Sequence, residues 1–460
     1  MIKLTLVSLT GPEPYSSSPV RALAFDLRAE RNGKVTAKWP PGDTSVNLRR
    51  THRIATDPLT LLLDSYQRYG PVFSQRLMTS RQIWMLGPEA NHFMLVSHAR
   101  LFRWREGGFS QLIPLLGDGM LTIDGEFHKR SRRIMLPPFH SEQIAATQAT
   151  MDEETEAALA AWRPGQTVDV YEWARTLALR IAMRALFGFH PDMQHADRAA
   201  AHDFEQALGF YGHDFMVQSL RGPRTPWRRM LEARGRLDTL IYGEITRRRA
   251  SAARGTDVLS LLLDAADEDG TTLTDTQIRD QVMTLLFAGH DTTTATISFL
   301  FYELARHPEE DAALRQDPTR LDRVLDETLR LYPPAWIGPR RAAEAFEFGG
   351  FRIPKDIPVN YSSYVSHRLP DVFADPHAFK PDRMAPAAKA ALPRGAYVPF
   401  GAGSRICLGM RFGQQEIRTI AARILRDFRL DLEPGFRLEI RQTPTLGPRR
   451  GMPMVVRAQA

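Results

Sequence analysis

A single cysteine, Cys407, constrains this 460-residue chain more than any other residue. Two glycines, Gly401 and Gly403, precede it and permit a tight turn whose backbone N–H groups point at the sulfur. A helical pattern begins directly after Gly409, so the sulfur would lie at the positive end of a helix, and both effects favour the thiolate. Such a thiolate is a suitable axial ligand for haem iron, although an isolated cysteine is more often a buried small residue.

The spacing around this cysteine is specific. The pattern Phe-x-x-Gly-x-Arg-x-Cys-x-Gly is filled by Phe400, Gly403, Arg405, Cys407 and Gly409. On these residues the chain resembles the cytochrome P450 family of haem-thiolate monooxygenases, and further landmarks follow in the family's order. The resemblance implies a mainly α-helical fold with small β-sheets, a triangular prism that holds haem b between a long central helix and the cysteine-loop helix. It also implies that Cys407 is the iron ligand.

A second landmark is Glu327-x-x-Arg330, which is followed by a Tyr-Pro-Pro turn. The pattern alone is weak, because helix-surface pairs at i,i+3 are common. In the family such a pair joins an arginine from the irregular segment before the cysteine, and Arg383 occupies that place here. The resemblance therefore implies a structural network of Glu327, Arg330 and Arg383, in which two guanidiniums satisfy one buried carboxylate.

A third landmark, residues 288–293, lies at the centre of a long apolar stretch and includes Asp291 and Thr292. It is similar to the family's acid–alcohol pair, and the resemblance gives both residues catalytic roles. Splitting dioxygen requires two protons in a pocket that excludes water. We expect Thr292 to position a water and Asp291 to relay protons from solvent. His290 stands at the family's variable position and receives no role.

The resemblance also implies contacts to the cofactor. His128 and Arg132 share one helix face at i,i+4, as the family's propionate-contacting residues do. Arg340 follows the Pro-Pro turn and resembles another propionate-binding arginine. The alternatives are a solvated basic helix and a surface charge. The full predicted cofactor-binding set is His128, Arg132, Arg340, Arg405, Phe400 and Gly401.

The substrate space of the family implies a mainly apolar pocket. The residues predicted to line it are Phe109, Leu112, Leu116, Thr284, Phe287, Ala288, Ala335 and Trp336. Such a lining favours a lipophilic small molecule: a terpenoid, a steroid, a fatty acid or an aromatic xenobiotic. A plain hydrophobic core would supply the same residues.

Hydrophobic periodicity predicts the arrangement of the remaining chain. Residues 1–39 read as an extended N-terminal lead-in, and 40–460 as a single cytochrome P450 domain. Residues 58–69 predict a first helix with proline at its start, and 72–77 with 82–86 predict a hairpin. The later helices are predicted over residues 141–162, 169–189, 197–220, 228–250, 256–266 and 274–306, with strands at 346–353 and 359–364. One more helix follows Cys407 to about Phe428.

Charge and composition bear on partners and location. The net charge is +7 and the pI about 9.6, without a recognisable nucleic-acid-binding module. One cysteine cannot hold an iron–sulfur cluster, so electrons should come from a separate ferredoxin or flavodoxin with its reductase. An acidic carrier would dock on two basic helices. One carries Lys129, Arg130 and Arg133, and the other, which follows Cys407, carries Arg411 and Arg418.

The lack of possible intrachain disulfides predicts a cytoplasmic protein without a membrane anchor, and the family resemblance implies a bacterial one. Two other functions stay open at this level. One is a peroxide-driven haem-thiolate peroxygenase, which the intact Asp291–Thr292 pair disfavours. The other is a non-catalytic haem-binding sensor.

Overall fold

Helices make up most of the molecule. A computed structural model describes residues 19–188, 194–213, 217–218, 220–251, 255, 257–266 and 270–459. In chain order the α-helices are α1 Pro19–Gly33, α2 Leu48–Thr56, α3 Pro58–Tyr69, α4 Pro88–His92, α5 Ile113–Leu116, α6 Gly125–Met135, α7 Ser141–Ala146, α8 Gln148–Leu159, α9 Val170–Phe187, α10 Gln194–Gly209, α11 Pro226–Ala250, α12 Val258–Asp264, α13 Asp275–Arg306, α14 Pro308–Gln316, α15 Leu321–Leu331, α16 Ser363–Ser366, α17 Pro386–Ala390 and α18 Met410–Asp427. Short 3-10 segments lie at Ala99–Leu101, Gly108–Leu112, Pro137–Phe139, Phe210–Gly212, Pro318–Arg320, Pro381–Met384 and Gly403–Arg405, and Phe93–Ser97 is a π-helix.

The strands form four small sheets among the described residues. They are β1 Gly42–Asp43, β2 Val72–Leu77, β3 Ser80–Met85, β4 Phe102–Arg103, β5 Thr167–Asp169, β6 Gly338–Ala342, β7 Phe346–Phe348, β8 Phe351–Ile353, β9 Pro358–Tyr361, β10 Phe428–Leu432, β11 Ile440–Arg441, β12 Gly447–Pro448 and β13 Pro453–Ala458. The largest sheet has the order β1-β2-β3-β9-β6-β4, and β10-β13-β5 forms a second. The β2–β3 hairpin pairs Val72 with Met85 and Leu77 with Ser80. The mainly α-helical class predicted from the sequence is confirmed.

The central helix α13 crosses the interior. It begins with a capping box, in which the Thr274 hydroxyl accepts from the Gln277 N–H and the Gln277 side chain accepts from the Thr274 N–H. It ends before Pro308, which opens α14. Most of its side chains are buried, and it packs against α9, α15 and α18. A helix that is apolar on all sides needs such burial, which explains its membrane-like composition without a membrane.

Several boundaries differ from the sequence prediction. The extended lead-in is wrong for residues 19–33, which form α1; residues 1–18 lie outside the described residues. Asp26 of α1 forms an ion pair with Arg341, and Glu30 of α1 forms one with Arg76. Contacts with residues that are distant in the sequence therefore hold this helix in place. The predicted helix 141–162 is interrupted at Thr147. The strand predicted at 359–364 stops at Tyr361, because Ser362 caps the short helix α16 through a bond from Val365 N–H.

Among the described residues, no helix combines the length and the apolar character needed to cross a bilayer, and this includes α13.

Candidate haem-thiolate site

The loop before Cys407 is shaped by backbone conformations that only glycine adopts easily. Gly401 and Gly403 have φ values of 68° and 64°. A Cβ on Gly403 would also collide with the Leu95 carbonyl oxygen. The turn closes with a bond from the Cys407 N–H to the Phe400 carbonyl at 2.9 Å, and α18 begins three residues later at Met410. The sequence therefore fixes both the loop and the position of the sulfur at a helix start.

Cys407 is accessible, yet it lies inside the molecule. The Cys407 side chain is exposed. Burial of the thiol among protein atoms is nevertheless the main influence on its pKa and raises that pKa above the usual value. The Gly409 N–H and the charge of Arg132 act in the opposite direction and lower the pKa. The predicted preference for the thiolate thus meets an opposing effect of burial, which a cation bound at the sulfur would offset.

Positive charges converge close to this loop. His128 and Arg132 lie on α6, Arg340 on β6 and Arg405 in the cysteine loop. The Arg405 guanidinium donates to Asp124 at 2.6 Å and to the Ile123 carbonyl at 2.7 Å. The guanidinium of Arg340 lies 3.5 Å from the ring centre of Trp104, and that of Arg405 lies 5.1 Å from it. This aromatic contact was not predicted, since nothing in the sequence around Trp104 marks it.

Burial and, for His128 and Arg405, neighbouring positive charges disfavour the charged forms of these groups. Burial and then the charges of Arg405 and Arg132 lower the pKa of His128 to about 3. Burial lowers the pKa of Arg340 to about 10, although the charge of Asp124 opposes this shift. Burial also lowers the pKa of Arg405 to about 10; Asp124 opposes the shift and Arg340 adds to it. Arg132, Arg340 and Arg405 gather in this place, and Asp124 pairs with Arg405, so an additional negatively charged ligand would stabilise the remaining charges. The two carboxylates of a haem meet this requirement, so the residues fit the group that the sequence resemblance implies.

The centre of α13 has one accessible face. Ala288 is exposed and Gly289 and Thr292 are half-buried, although their neighbours on the helix are buried. The Thr292 hydroxyl donates to the Ala288 carbonyl at 2.7 Å. The next residue, Thr293, donates to Glu416 of α18 at 3.4 Å, which brings this part of α13 beside the helix that follows Cys407. Thr292 therefore lies on the accessible face of α13, in the part of this helix that is close to α18.

Asp291 lies on the other side of α13. It is 1% exposed and accepts from the Tyr171 hydroxyl at 3.0 Å, from Arg441 at 3.1 Å and from the Thr445 hydroxyl. Burial alone would raise its pKa, but Arg441 and Thr445 hold it below the usual value. The expected direct link from Asp291 to solvent is absent among the described residues. The carboxylate is instead enclosed, and its partners come from segments about 120 to 154 residues away in sequence.

The Glu327 network forms as the family resemblance implied. Arg330 donates to both Glu327 oxygens at 2.8 Å, and Arg383 donates to Glu327 at 3.0 Å. Glu327 and Arg330 are fully buried. Arg330 also donates to the carbonyls of His367 at 2.8 Å and Pro376 at 2.7 Å, so it anchors the irregular segment that leads to the cysteine loop.

Glu416 is a buried acid that the sequence analysis missed. It is 2% exposed, and burial raises its pKa to about 8. Its Oε1 atom has no hydrogen-bond partner among the described residues, while Oε2 accepts from Thr293. It stands nine residues after Cys407 on α18, and only a helical projection of that segment could have indicated its burial.

The predicted pocket residues divide into two groups. Phe109, Ala288 and Ala335 are accessible, as a pocket lining requires. The other five residues are buried, with exposed fractions of 7% or less: Leu112, Leu116, Thr284, Phe287 and Trp336. Thr284 packs against Gly119, where a Cβ would collide with its hydroxyl, and Trp336 donates to the Gln442 carbonyl at 2.8 Å. These five residues are buried as core residues are, which agrees with the alternative that they belong to the hydrophobic core and do not line a pocket.

The predicted docking surface is partly accessible. Residues of α6 and its flanks line a surface depression of about 440 Å³ beside the cysteine loop: His128, Lys129, Arg132, Arg133, Leu136, Pro137, His140 and Ser404. Lys129, Arg133 and Arg411 are exposed. Arg130 is buried and donates to the Thr271 carbonyl at 3.4 Å, so its inclusion in the docking surface is wrong. Arg418 is half-buried and pairs with Asp322.

Comparisons with known proteins agree with this geometry. A family model described as Cytochrome P450 matches residues 50–449. Cyclooctatin synthase of Streptomyces melanosporofaciens is 37% identical over 366 residues, which cover 74% of this chain and 79% of that protein. Cyclooctat-9-en-7-ol 5-monooxygenase of the same organism is 33% identical and covers 87% and 91%. The solved structure of a retinoic-acid-bound cyanobacterial CYP120A1 aligns with a TM-score of 0.82 at 27% identity, over 92% of this chain and 100% of the other.

Proposed function

The chain belongs to the cytochrome P450 family and is a monooxygenase, and we propose that it hydroxylates or epoxidises a lipophilic terpenoid. One oxygen atom of dioxygen enters the substrate, and two electrons and two protons reduce the other atom to water. The accessible cysteine at a helix start, close to the buried basic groups His128, Arg340 and Arg405, carries the proposal. Haem b, when bound, supplies dioxygen activation.

The residues that hold this group are proposed as follows. Cys407 would be the iron ligand, because it is the single cysteine of the sequence and a backbone hydrogen bond to Phe400 closes its loop. Arg132, Arg340 and Arg405, with His128, receive the two propionates. Phe400 and Gly401 are half-buried in the same loop and would contact the cofactor beside Cys407. The anionic carboxylates relieve the mutual repulsion of the cations.

Two residues of α13 are proposed to handle protons. The Thr292 hydroxyl lies at the accessible face and positions a water for proton donation. Asp291 supplies protons from the enclosed side, so its ion pair with Arg441 must open or exchange during turnover. A positioned acid–base group of this kind typically contributes about 10²–10⁴-fold to the rate.

The proposed substrate class rests on two observations. The accessible residues of the pocket are Phe109, Ala288 and Ala335, which are apolar and, in two cases, small. One relative, cyclooctat-9-en-7-ol 5-monooxygenase, is named for the oxidation of an unsaturated alcohol at carbon 5. Both support a bulky cyclic terpenoid over a linear fatty acid, because a small-residue lining leaves room for a compact ring system.

Electrons are proposed to arrive from a separate ferredoxin or flavodoxin. The depression beside the cysteine loop is lined by Lys129, Arg132 and Arg133, and Arg411 stands at the start of α18. Charge complementarity would direct an acidic carrier to this surface. The proposal places the carrier on the side of the sulfur, opposite the substrate.

The decisive experiment combines binding with product analysis. The haem-loaded ferric protein is titrated with cyclic terpene hydrocarbons and alcohols, steroids and fatty acids, and the absorbance shift that accompanies loss of the sixth-ligand water is recorded. Compounds that bind are then turned over under ¹⁸O₂ with a ferredoxin, its reductase and reductant. We expect a cyclic terpenoid to bind and to gain one ¹⁸O atom. Binding restricted to steroids or fatty acids, or product without ¹⁸O, would contradict the proposal.

A further inference from the structure

Trp104 contacts both of the arginines that flank the cysteine loop. The guanidinium of Arg340 lies 3.5 Å from the centre of the Trp104 ring, and that of Arg405 lies 5.1 Å from it. A guanidinium is attracted to the face of an indole ring, and the attraction is stronger where water is excluded. Trp104 is half-buried, so one partly desolvated ring serves two cations.

Arg340 has few other partners. It is 5% exposed, and within the described part of the chain no carboxylate forms an ion pair with it. Its guanidinium donates to the Pro339 carbonyl at 3.0 Å, and its second aromatic neighbour is Tyr361, whose ring centre lies 5.5 Å away. A guanidinium carries several N–H donors, and an aromatic contact holds it without replacing a carboxylate as their acceptor. Trp104 therefore keeps Arg340 in place while its donors remain suited to an anionic ligand.

Asp124 stands at the N-cap position of α6, but its carboxylate does not cap that helix. An aspartate at this position commonly accepts from an N–H group in the first helical turn. Here Oδ2 accepts from the backbone N–H groups of Trp104 at 2.8 Å and Arg105 at 2.6 Å. Oδ1 accepts from the Arg405 guanidinium at 2.6 Å. One carboxylate thus joins the cysteine loop to the segment that carries Trp104.

Further contacts fix the Trp104 ring. Its indole N–H donates to the Leu121 carbonyl at 2.5 Å. The ring stacks on Phe109, with 5.2 Å between the ring centres and 10° between the planes. A side chain that is already held by its backbone, its N–H and a stacked neighbour loses little more freedom when it supports an arginine. The support for Arg340 is therefore present before any ligand arrives.

We propose that Trp104 and Asp124 are positioning residues for the cofactor. Trp104 holds Arg340, and Asp124 holds both Arg405 and the Trp104 backbone, so that the two guanidiniums meet the two haem propionates. Trp104 and Asp124 act through the arginines and need not touch the cofactor. The inference rests on the proposed contacts of Arg340 and Arg405 with the propionates.

The rate of haem loss tests the positioning roles without turnover. The ferric haem-loaded protein is mixed with an excess of haem-free myoglobin, which captures released haem, and the transfer is followed by absorbance. Trp104→Leu should accelerate transfer by about 3- to 30-fold, because it removes a partly desolvated cation–π contact. Asp124→Asn should accelerate it by about tenfold, because it removes a charge-assisted hydrogen bond. Trp104→Phe keeps an aromatic face and should lie between Trp104→Leu and the wild type.

Two matched variants control for a general loss of stability. Trp39→Leu removes another half-buried indole, whose ring centre lies 4.0 Å from the Arg81 guanidinium. Asp356→Asn removes the carboxylate paired with Arg103, and the side chain of Asp356 is 27% exposed, close to the 28% of Asp124. Both controls should lose haem at the wild-type rate.

Resonance Raman spectroscopy supplies a measurement that a purely structural role would not change. The bending band of the haem propionates shifts when hydrogen bonds to their carboxylates are lost. The band should shift in Trp104→Leu and Asp124→Asn and stay in place in the two controls. Faster haem loss with an unshifted band would overturn the proposal, since both residues would then support only the fold. Slower haem loss in Asp124→Asn would also overturn it, because the carboxylate would then compete with the propionate for Arg405.

Arg340→Gln and Arg405→Gln separate this inference from the proposed cofactor contacts. If both variants leave the propionate band and the rate of haem loss unchanged, the proposed contacts fail, and the positioning roles fail with them. If they shift the band while the Trp104 and Asp124 variants do not, only the further inference fails. We expect a shifted band in Trp104→Leu, Asp124→Asn and both arginine variants.

Discussion

Glu416 gives the prediction with the most defined magnitude. Its pKa is raised from 4.5 to about 8 by burial, so the folded protein keeps the acid protonated while the unfolded chain releases the proton. Between pH 4.5 and 8 the unfolded state binds fewer protons, and the free energy of unfolding falls as pH rises. At about 1.4 kcal/mol per unit, integration from pH 5 to pH 8 gives a loss of about 3 to 4 kcal/mol.

Glu416→Gln removes this titration and keeps an acceptor for the Thr293 hydroxyl. Unfolding of the haem-loaded protein in guanidinium is followed by circular dichroism at pH 5, 6, 7 and 8. The variant's stability relative to the wild type should rise by about 3 to 4 kcal/mol across this range. The exposed carboxylate variant Glu433→Gln serves as the control and should show a constant difference. Parallel pH curves for Glu416→Gln and the wild type would refute the claim that Glu416 is a buried neutral acid.

Three further predictions follow from the site. Thr292→Ala should retain haem and substrate binding, judged by absorbance, but should release hydrogen peroxide at the expense of product, because proton delivery loses its positioning hydroxyl; unchanged product per electron would contradict this. Glu327→Ala leaves Arg330 buried without its carboxylate and should lower the free energy of unfolding by about 3 to 5 kcal/mol. Little soluble haem-loaded protein should then be recovered. A normal yield and melting temperature would count against the network. The double variant Arg133→Glu/Arg411→Glu should slow reduction by an acidic ferredoxin. Raising salt from 0.1 M to 1 M should slow it too, because the Debye length falls from about 10 Å to about 3 Å. Peroxide-driven turnover should be unaffected, as should reduction of the exposed control variant Arg450→Glu, and equal reduction rates in all variants would place docking elsewhere.

Local signals in the sequence located the cysteine loop and the central helix well. Gly401 and Gly403 predicted the tight turn because few other residues adopt their φ values, and Thr274 with Gln277 marks the start of α13 by a local capping rule. The Glu327 network was reached through family resemblance, since the Glu-x-x-Arg pattern also occurs at surface positions.

Contacts between distant segments could not be predicted from the sequence alone. The hydrogen-bond partners of Asp291 come from α9, β11 and Thr445, and no sequence pattern near Asp291 indicates them. The burial of Arg130 depends on the carbonyl of Thr271, 141 residues away. Leu116 and Trp336 are apolar whether they line a pocket or fill the core, so composition does not separate the two, and only packing does.

The central claim is that Cys407 ligates a haem as its thiolate, and one spectrum tests it most directly. The protein is expressed with haem precursor, purified, reduced and exposed to carbon monoxide, and its Soret band is compared with that of Cys407→His. The account predicts the strongly red-shifted Soret band of thiolate-ligated haem in the wild type and its loss in the variant. A wild-type spectrum with the Soret position of a histidine-ligated globin, or no haem retained at all, would contradict the account.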